Sequence, residues 1–142
     1  MSLSLGQIVL RVGDPGTPVV WLDPSVPDSA WAGLPASLHR AGYSVIDLDG
    51  PTPVVDLNTL LERFAAGTPP TPFAAVDLAS LRQNLLRLAN DSPMGWVVLF
   101  RAPELLRQND EATFEELLEL LAFVHDSRYE IHQRVFKLIV RD

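Results

Sequence analysis

The chain has 142 residues, with 18 acidic and 11 basic side chains and no cysteine. That length is enough for one hydrophobic core, and the lack of cysteine excludes a disulfide framework, a thiolate zinc site and cysteine catalysis. A formal net charge of −7 argues against nucleic acid and anionic membranes as partners, since both need a basic surface.

The cations are arginines apart from Lys137, so Schiff-base or phosphate-loop chemistry has almost no candidate lysine. No apolar run is long enough to span a bilayer, and Met1–Gly6 lacks the basic start and apolar core of a signal peptide. The expectation is a soluble cytoplasmic protein.

Ten of the twelve prolines lie before residue 73, which predicts short strands and turns first and mostly helix later. Gln7–Val12 alternates polar and apolar residues and reads as a strand. Gly13-Asp14-Pro15-Gly16 is a turn signal, and Val19–Leu22 is a second apolar run, so the pair predicts a hairpin. A short helix is expected near Leu34–Ala41, with Pro35 in its first turn and Gly42 just past its end. Tyr43–Leu48 follows as a strand, stopped by Asp49-Gly50-Pro51.

Asp56 is a good N-cap, because its carboxylate can accept from free N–H groups of a first helical turn. Leu57, Leu60, Leu61 and Phe64 then fall on one helical face, with Gly67 available to close the helix. The stretch Thr68–Pro72 carries three prolines and cannot be helical. Asp77 caps a second helix whose apolar face is Leu78, Leu81, Leu85 and Leu88. Trp96–Phe100 is a continuous apolar run, as expected of a strand covered on both faces.

A third helix is expected from about Asp110, with Phe114, Leu117, Leu118, Leu121 and Val124 inward and Glu115, Glu116, Glu119 and Asp126 outward. Val135–Val140 completes the chain as a strand. Strands alternating with helices predict parallel crossovers and an α/β layered domain. There is no phosphate loop, dinucleotide fingerprint or nucleophile elbow. The histidines His39, His125 and His132 show no metal-ligand spacing, and His125 reads as a helix-terminal histidine facing free carbonyls.

The element order from Tyr43 to Asp142 resembles the barstar family, the intracellular inhibitors of barnase-type ribonucleases. The features that carry the resemblance are the strand ending in Leu48-Asp49-Gly50, the helix from Asp56 and the proline-aromatic loop. The segment Asp77-Leu78-Ala79-Ser80-Leu81, the buried strand at Trp96, the leucine-rich helix and the terminal strand complete it. The resemblance implies a mainly parallel central sheet over residues 43–142, with residues 1–42 as an N-terminal hairpin extension.

It also implies a non-enzymatic protein-binding module directed at a ribonuclease or toxin, with no cofactor and no metal. Carried over by position, the partner-binding surface is Phe73, Asp77, Ser80, Arg82 and Gln83. In the family, two aspartates on this helix imitate RNA phosphates. Here Ala79 and Gln83 stand at those positions, so the target surface is altered. The alternative reading is a small α/β ligand-binding domain or enzyme with a site at the carboxyl edge of the sheet, near Asp47, Asp49 and Arg101.

The charge is unevenly spread. Residues 104–119 hold six acids against Arg107, whereas residues 73–90 hold Asp77 against Arg82 and Arg87. The acidity therefore sits on the third helix and not on the stretch the resemblance marks for binding.

Overall fold

Two apolar runs, the second interrupted by Lys137, form the inner strands of the sheet. In the computed structural model, β3 (Gly95–Arg101) and β4 (Val135–Arg141) lie side by side, flanked by β1 (Val19–Leu22) and β2 (Tyr43–Asp47) in the order β1-β4-β3-β2. Every adjacent pair is parallel. The structure describes residues 5–14, 16, 18–22, 26–48, 53–67, 75–88, 92–101 and 103–141.

Helices cover both faces of the sheet. One layer is α3 (Leu57–Gly67), α4 (Leu78–Leu86), α5 (Glu104–Asn109) and α6 (Glu111–His132). It packs on Ile46, Trp96, Val98, Phe100, Phe136, Leu138 and Val140. The other is α1 (Leu5–Val12) and α2 (Asp28–Arg40), which pack on Val20, Leu22, Val45, Val97, Leu99, Val135 and Ile139. Successive strand residues point to opposite faces, so an unbroken apolar run is what a sheet between two helical layers requires. The fold is α/β and layered, with an all-parallel sheet.

The N-terminal hairpin is corrected by this arrangement. Gln7–Val12 lies within α1, and Val19–Leu22 pairs in parallel with β4 and not with a neighbouring strand. Ile8 and Val12 are buried and one helical turn apart, while Gln7 and Arg11 are exposed. The same six residues thus satisfy a helical period as well as an alternating one. The helix expected near Leu34 starts earlier, at Asp28, and runs through Pro35, burying Trp31, Leu34 and Leu38. Of the two N-terminal tryptophans, Trp31 is core and Trp21 is the exposed one.

Lys137 is fully buried on β4, amid the residues packed beneath α1 and α2. Its ammonium donates to the backbone carbonyl of Asp14. Burial pushes its pKa below the usual 10.5, and the charge of Asp14 opposes this. A lysine with a depressed folded-state pKa sheds its proton in the folded state before the unfolded one. Its contribution therefore becomes more favourable as pH rises from the folded pKa to 10.5.

Tyr43 acts in the opposite sense. Burial raises its pKa above 10.0, so stability falls as the unfolded chain ionises above that pH. Replacing Lys137 alone separates the two. Lys137→Met is expected to gain about 1 kcal/mol at pH 7, and the gain should shrink toward pH 10.5. Paired urea melts of the two proteins from pH 7 to 11 measure the difference; a gain that grows with pH would refute this account.

Candidate functional site

The start of α4 is built by a reciprocal cap. Ser80 N–H donates to Asp77 Oδ1 at 2.8 Å, and Asp77 N–H donates to Ser80 Oγ at 3.1 Å. A further donor, Val76 N–H, reaches the same hydroxyl at 2.9 Å. These bonds hold the Asp77 carboxyl below its usual range, the backbone bond from Ser80 contributing most. α3 begins in the same way, with Thr59 N–H on Asp56 Oδ1 at 2.8 Å. Asp77 and Ser80 therefore serve the helix first. Arg82 and Gln83, the next two expected binding residues, are exposed. Phe73 lies outside the described residues.

α4 packs along α6, and an open groove of about 480 Å³ runs between them. Leu78, Ala79 and Arg82 form the α4 side; Glu116, Glu119, Leu120 and Phe123 form the α6 side. Ala79 presents only a methyl group, which leaves the groove open at that point. The Arg82 guanidinium lies over the Phe123 ring, 5.4 Å from its centroid, a contact of about 0.5–1 kcal/mol at an exposed site. Phe123 is still 50% exposed. A second groove, of about 440 Å³, flanks the other side of the same segment, between Asn58, Leu61, Glu62 and Ala65 of α3 and Ala75 and Val76. Val76, on the lining of this second groove, is 85% exposed.

A buried cation ties α6 to the C-terminal end of α4. Arg128 of α6 is 3% exposed and donates to the carbonyls of Leu85, Leu86 and Leu88 at 3.3, 3.3 and 3.1 Å. Leu85 and Leu86 are the last residues of α4 and Leu88 lies just past its end, where the helix dipole also favours positive charge. Burial lowers the pKa of this guanidinium from its ordinary value.

His125, also on α6, is buried and accepts the Phe136 backbone N–H on Nδ1 at 3.2 Å. Its expected role facing helix-end carbonyls is thus replaced by that of an acceptor joining α6 to β4.

The carboxyl edge of the sheet holds a separate ionic cluster. Arg101 and Arg141 are register partners on β3 and β4, and both reach Asp28 Oδ1, at 3.3 and 2.6 Å. The two arginines hold the Asp28 carboxyl below its usual value, Arg141 contributing most. Asp49 lies outside the described residues.

Sequence reasoning marked the α4 positions but not their neighbours across the groove. Glu116 and Glu119 read as part of a solvated helical face, and their spacing alone gives no sign that the face borders α4. Among the described residues, no group of three or more His, Asp or Glu side chains could hold a metal ion, and no helix is long and apolar enough to cross a membrane. No protein-family model, curated protein or solved structure matches the chain significantly.

Proposed function

We propose that this protein is a non-enzymatic, barstar-like binding module of the cytoplasm, directed at a ribonuclease or toxin through an altered surface. The observation that carries the reading is the α4–α6 groove: Glu116 and Glu119 face the helix turns on which the resemblance places partner contacts. The acids of this face come from the neighbouring helix, at positions other than Ala79 and Gln83, which makes the surface a different one from the family's. A basic partner surface complements this, and charge complementarity of that kind speeds association and fixes register.

A partner retained from native lysate by the wild-type chain should be lost on Glu116→Arg/Glu119→Arg, with binding stronger at low salt. Retention unchanged by that double substitution would overturn the surface assignment.

The same reading makes a second, sharper claim. Ala79 and Gln83 offer no carboxylate to a barnase-type active site, so the wild-type chain should leave such a ribonuclease uninhibited. Both side chains are exposed and one turn apart, so aspartates fit there without disturbing the core. Close carboxylate–guanidinium pairs across such interfaces contribute upward of ~1.5 kcal/mol each. Ala79→Asp/Gln83→Asp is therefore expected to tighten binding to the ribonuclease at least about 100-fold, measured by inhibition of RNA cleavage. No gain would show that the helix register is not the family's.

A further inference from the structure

Arg82 is a cation in a groove whose other ionisable groups are acids, and the groove stays open beside it. Its guanidinium lies over Phe123, with Glu116 and Glu119 on the same wall. The floor contributed by Leu78, Leu120 and Phe123 is apolar. A planar cation can use such a site twice, stacking on the ring while its N–H groups meet a carboxylate. An ammonium ion, strongly hydrated and not planar, gains less from either contact.

We infer that the α4–α6 groove receives an arginine of the partner, flanked by apolar residues, and that Arg82 competes with it from within the chain. This rests on the proposed partner-binding face and names its chemistry. The incoming guanidinium takes the place of Arg82 on the Phe123 ring, its aliphatic neighbours cover Leu78 and Leu120, and Glu116 and Glu119 neutralise it. Ala79 supplies the room. Arg82 then acts as a threshold: a segment without an arginine does not displace it. Removing this exposed residue strengthens binding, the reverse of what an ordinary contact residue does.

The test uses the full chain, labelled with nitrogen-15, and the probe peptide acetyl-Leu-Arg-Leu-amide, followed by amide chemical shifts. Shifts should concentrate at Ala79, Arg82, Glu116, Glu119 and Phe123. Arg82→Gln should tighten the peptide about two- to five-fold, the value of an exposed cation–π contact. Arg87→Gln, which removes the same charge from the exposed C-terminal end of α4, should change it by less than about two-fold.

Glu116→Gln/Glu119→Gln should weaken the peptide about five-fold, and the citrulline analogue should not bind. The inference is overturned if shifts appear elsewhere, if the lysine peptide binds as well as the arginine peptide, or if Arg82→Gln and Arg87→Gln act alike. Cross-linking of the retained partner separates the two levels. Cross-links at α4 and α6 with a failed peptide test sink only the arginine; cross-links elsewhere sink the binding face itself.

Discussion

Gly95→Ala is expected to cost more than about 4 kcal/mol and to leave little folded protein near room temperature. Gly95 opens β3 at a φ of +122°, a conformation that side chains rarely adopt. A Cβ there would sit 2.1 Å from the Val135 carbonyl oxygen, 2.9 Å from its nitrogen and 3.0 Å from its carbonyl carbon. All three atoms are backbone, in the strand paired with Gly95. That strand is inner, packed on both faces and hydrogen-bonded through Val135 N–H to the Met94 carbonyl, so it cannot give way without breaking the ladder.

Gly42 supplies the contrast. Its φ is +99°, but the nearest atom to a new Cβ is the flexible Met94 Cγ, at 3.0 Å. Gly42→Ala should cost only about 1–2 kcal/mol. Urea melts of the two variants test this directly. Equal losses would mean that the positive φ alone matters and that β3 tolerates a side chain at its start. Domains are typically stable by only about 5–15 kcal/mol, so the difference decides whether a variant can be purified.

Arg128→Met should cost about 2–4 kcal/mol and lower the melting temperature by roughly 10 °C. Two effects oppose each other here. Burying a guanidinium is costly, and methionine of similar length removes that penalty. Against this, the carbonyls of Leu86 and Leu88 lose the Arg128 donor and that of Leu85 keeps only a long bond from Leu88 N–H, at 3.4 Å, and buried unpaired carbonyls cost ~1–3 kcal/mol each. The second effect wins because one side chain satisfies three acceptors and a helix dipole at once.

Arg128→Lys keeps the charge but not the fork of donors and should recover about half of the loss. Differential scanning calorimetry measures both. The same substitution loosens α4 against α6, so Arg128→Met should also broaden amide signals at Ala79 and Phe123. A loss of stability with those signals unchanged would separate the cap from the groove.

Several elements could be read from residues alone. The unbroken run at Trp96–Phe100 signals a strand packed on both faces, and Asp56 and Asp77 announce their helices because a carboxylate at the first turn has few other uses. Gln7–Val12 was ambiguous in physical terms: six residues are too few to separate a period of two from one of 3.6, and the burial of Ile8 and Val12 depends on a sheet completed far away. Pro35 misled in a similar way, since packing of Trp31, Leu34 and Leu38 outweighs one missing hydrogen bond.

The groove was half legible. Its α4 wall lies among positions that a family resemblance marks, whereas its α6 wall depends on how two helices are rotated against each other. Arg128 joins the two helices across that contact, and nothing in its local sequence announces a buried cation. Lys137 was hidden for the same reason, as a fully buried charge among the apolar residues of β4.

The strand order carries a kinetic consequence. Val19 pairs with Leu138, so among the described residues β1 has its one strand partner in β4, the last of the four strands to be synthesised. As the chain leaves the ribosome, β2 and β3 can pair early and offer α2 part of its packing surface, while β1 must wait for β4 to slot between β1 and β3. Such long-range closure slows folding relative to locally connected folds. During that wait β1 has no strand to pair with and Val20 and Leu22 lack their place in the second core, and it is at this stage that a nascent chain most needs a chaperone.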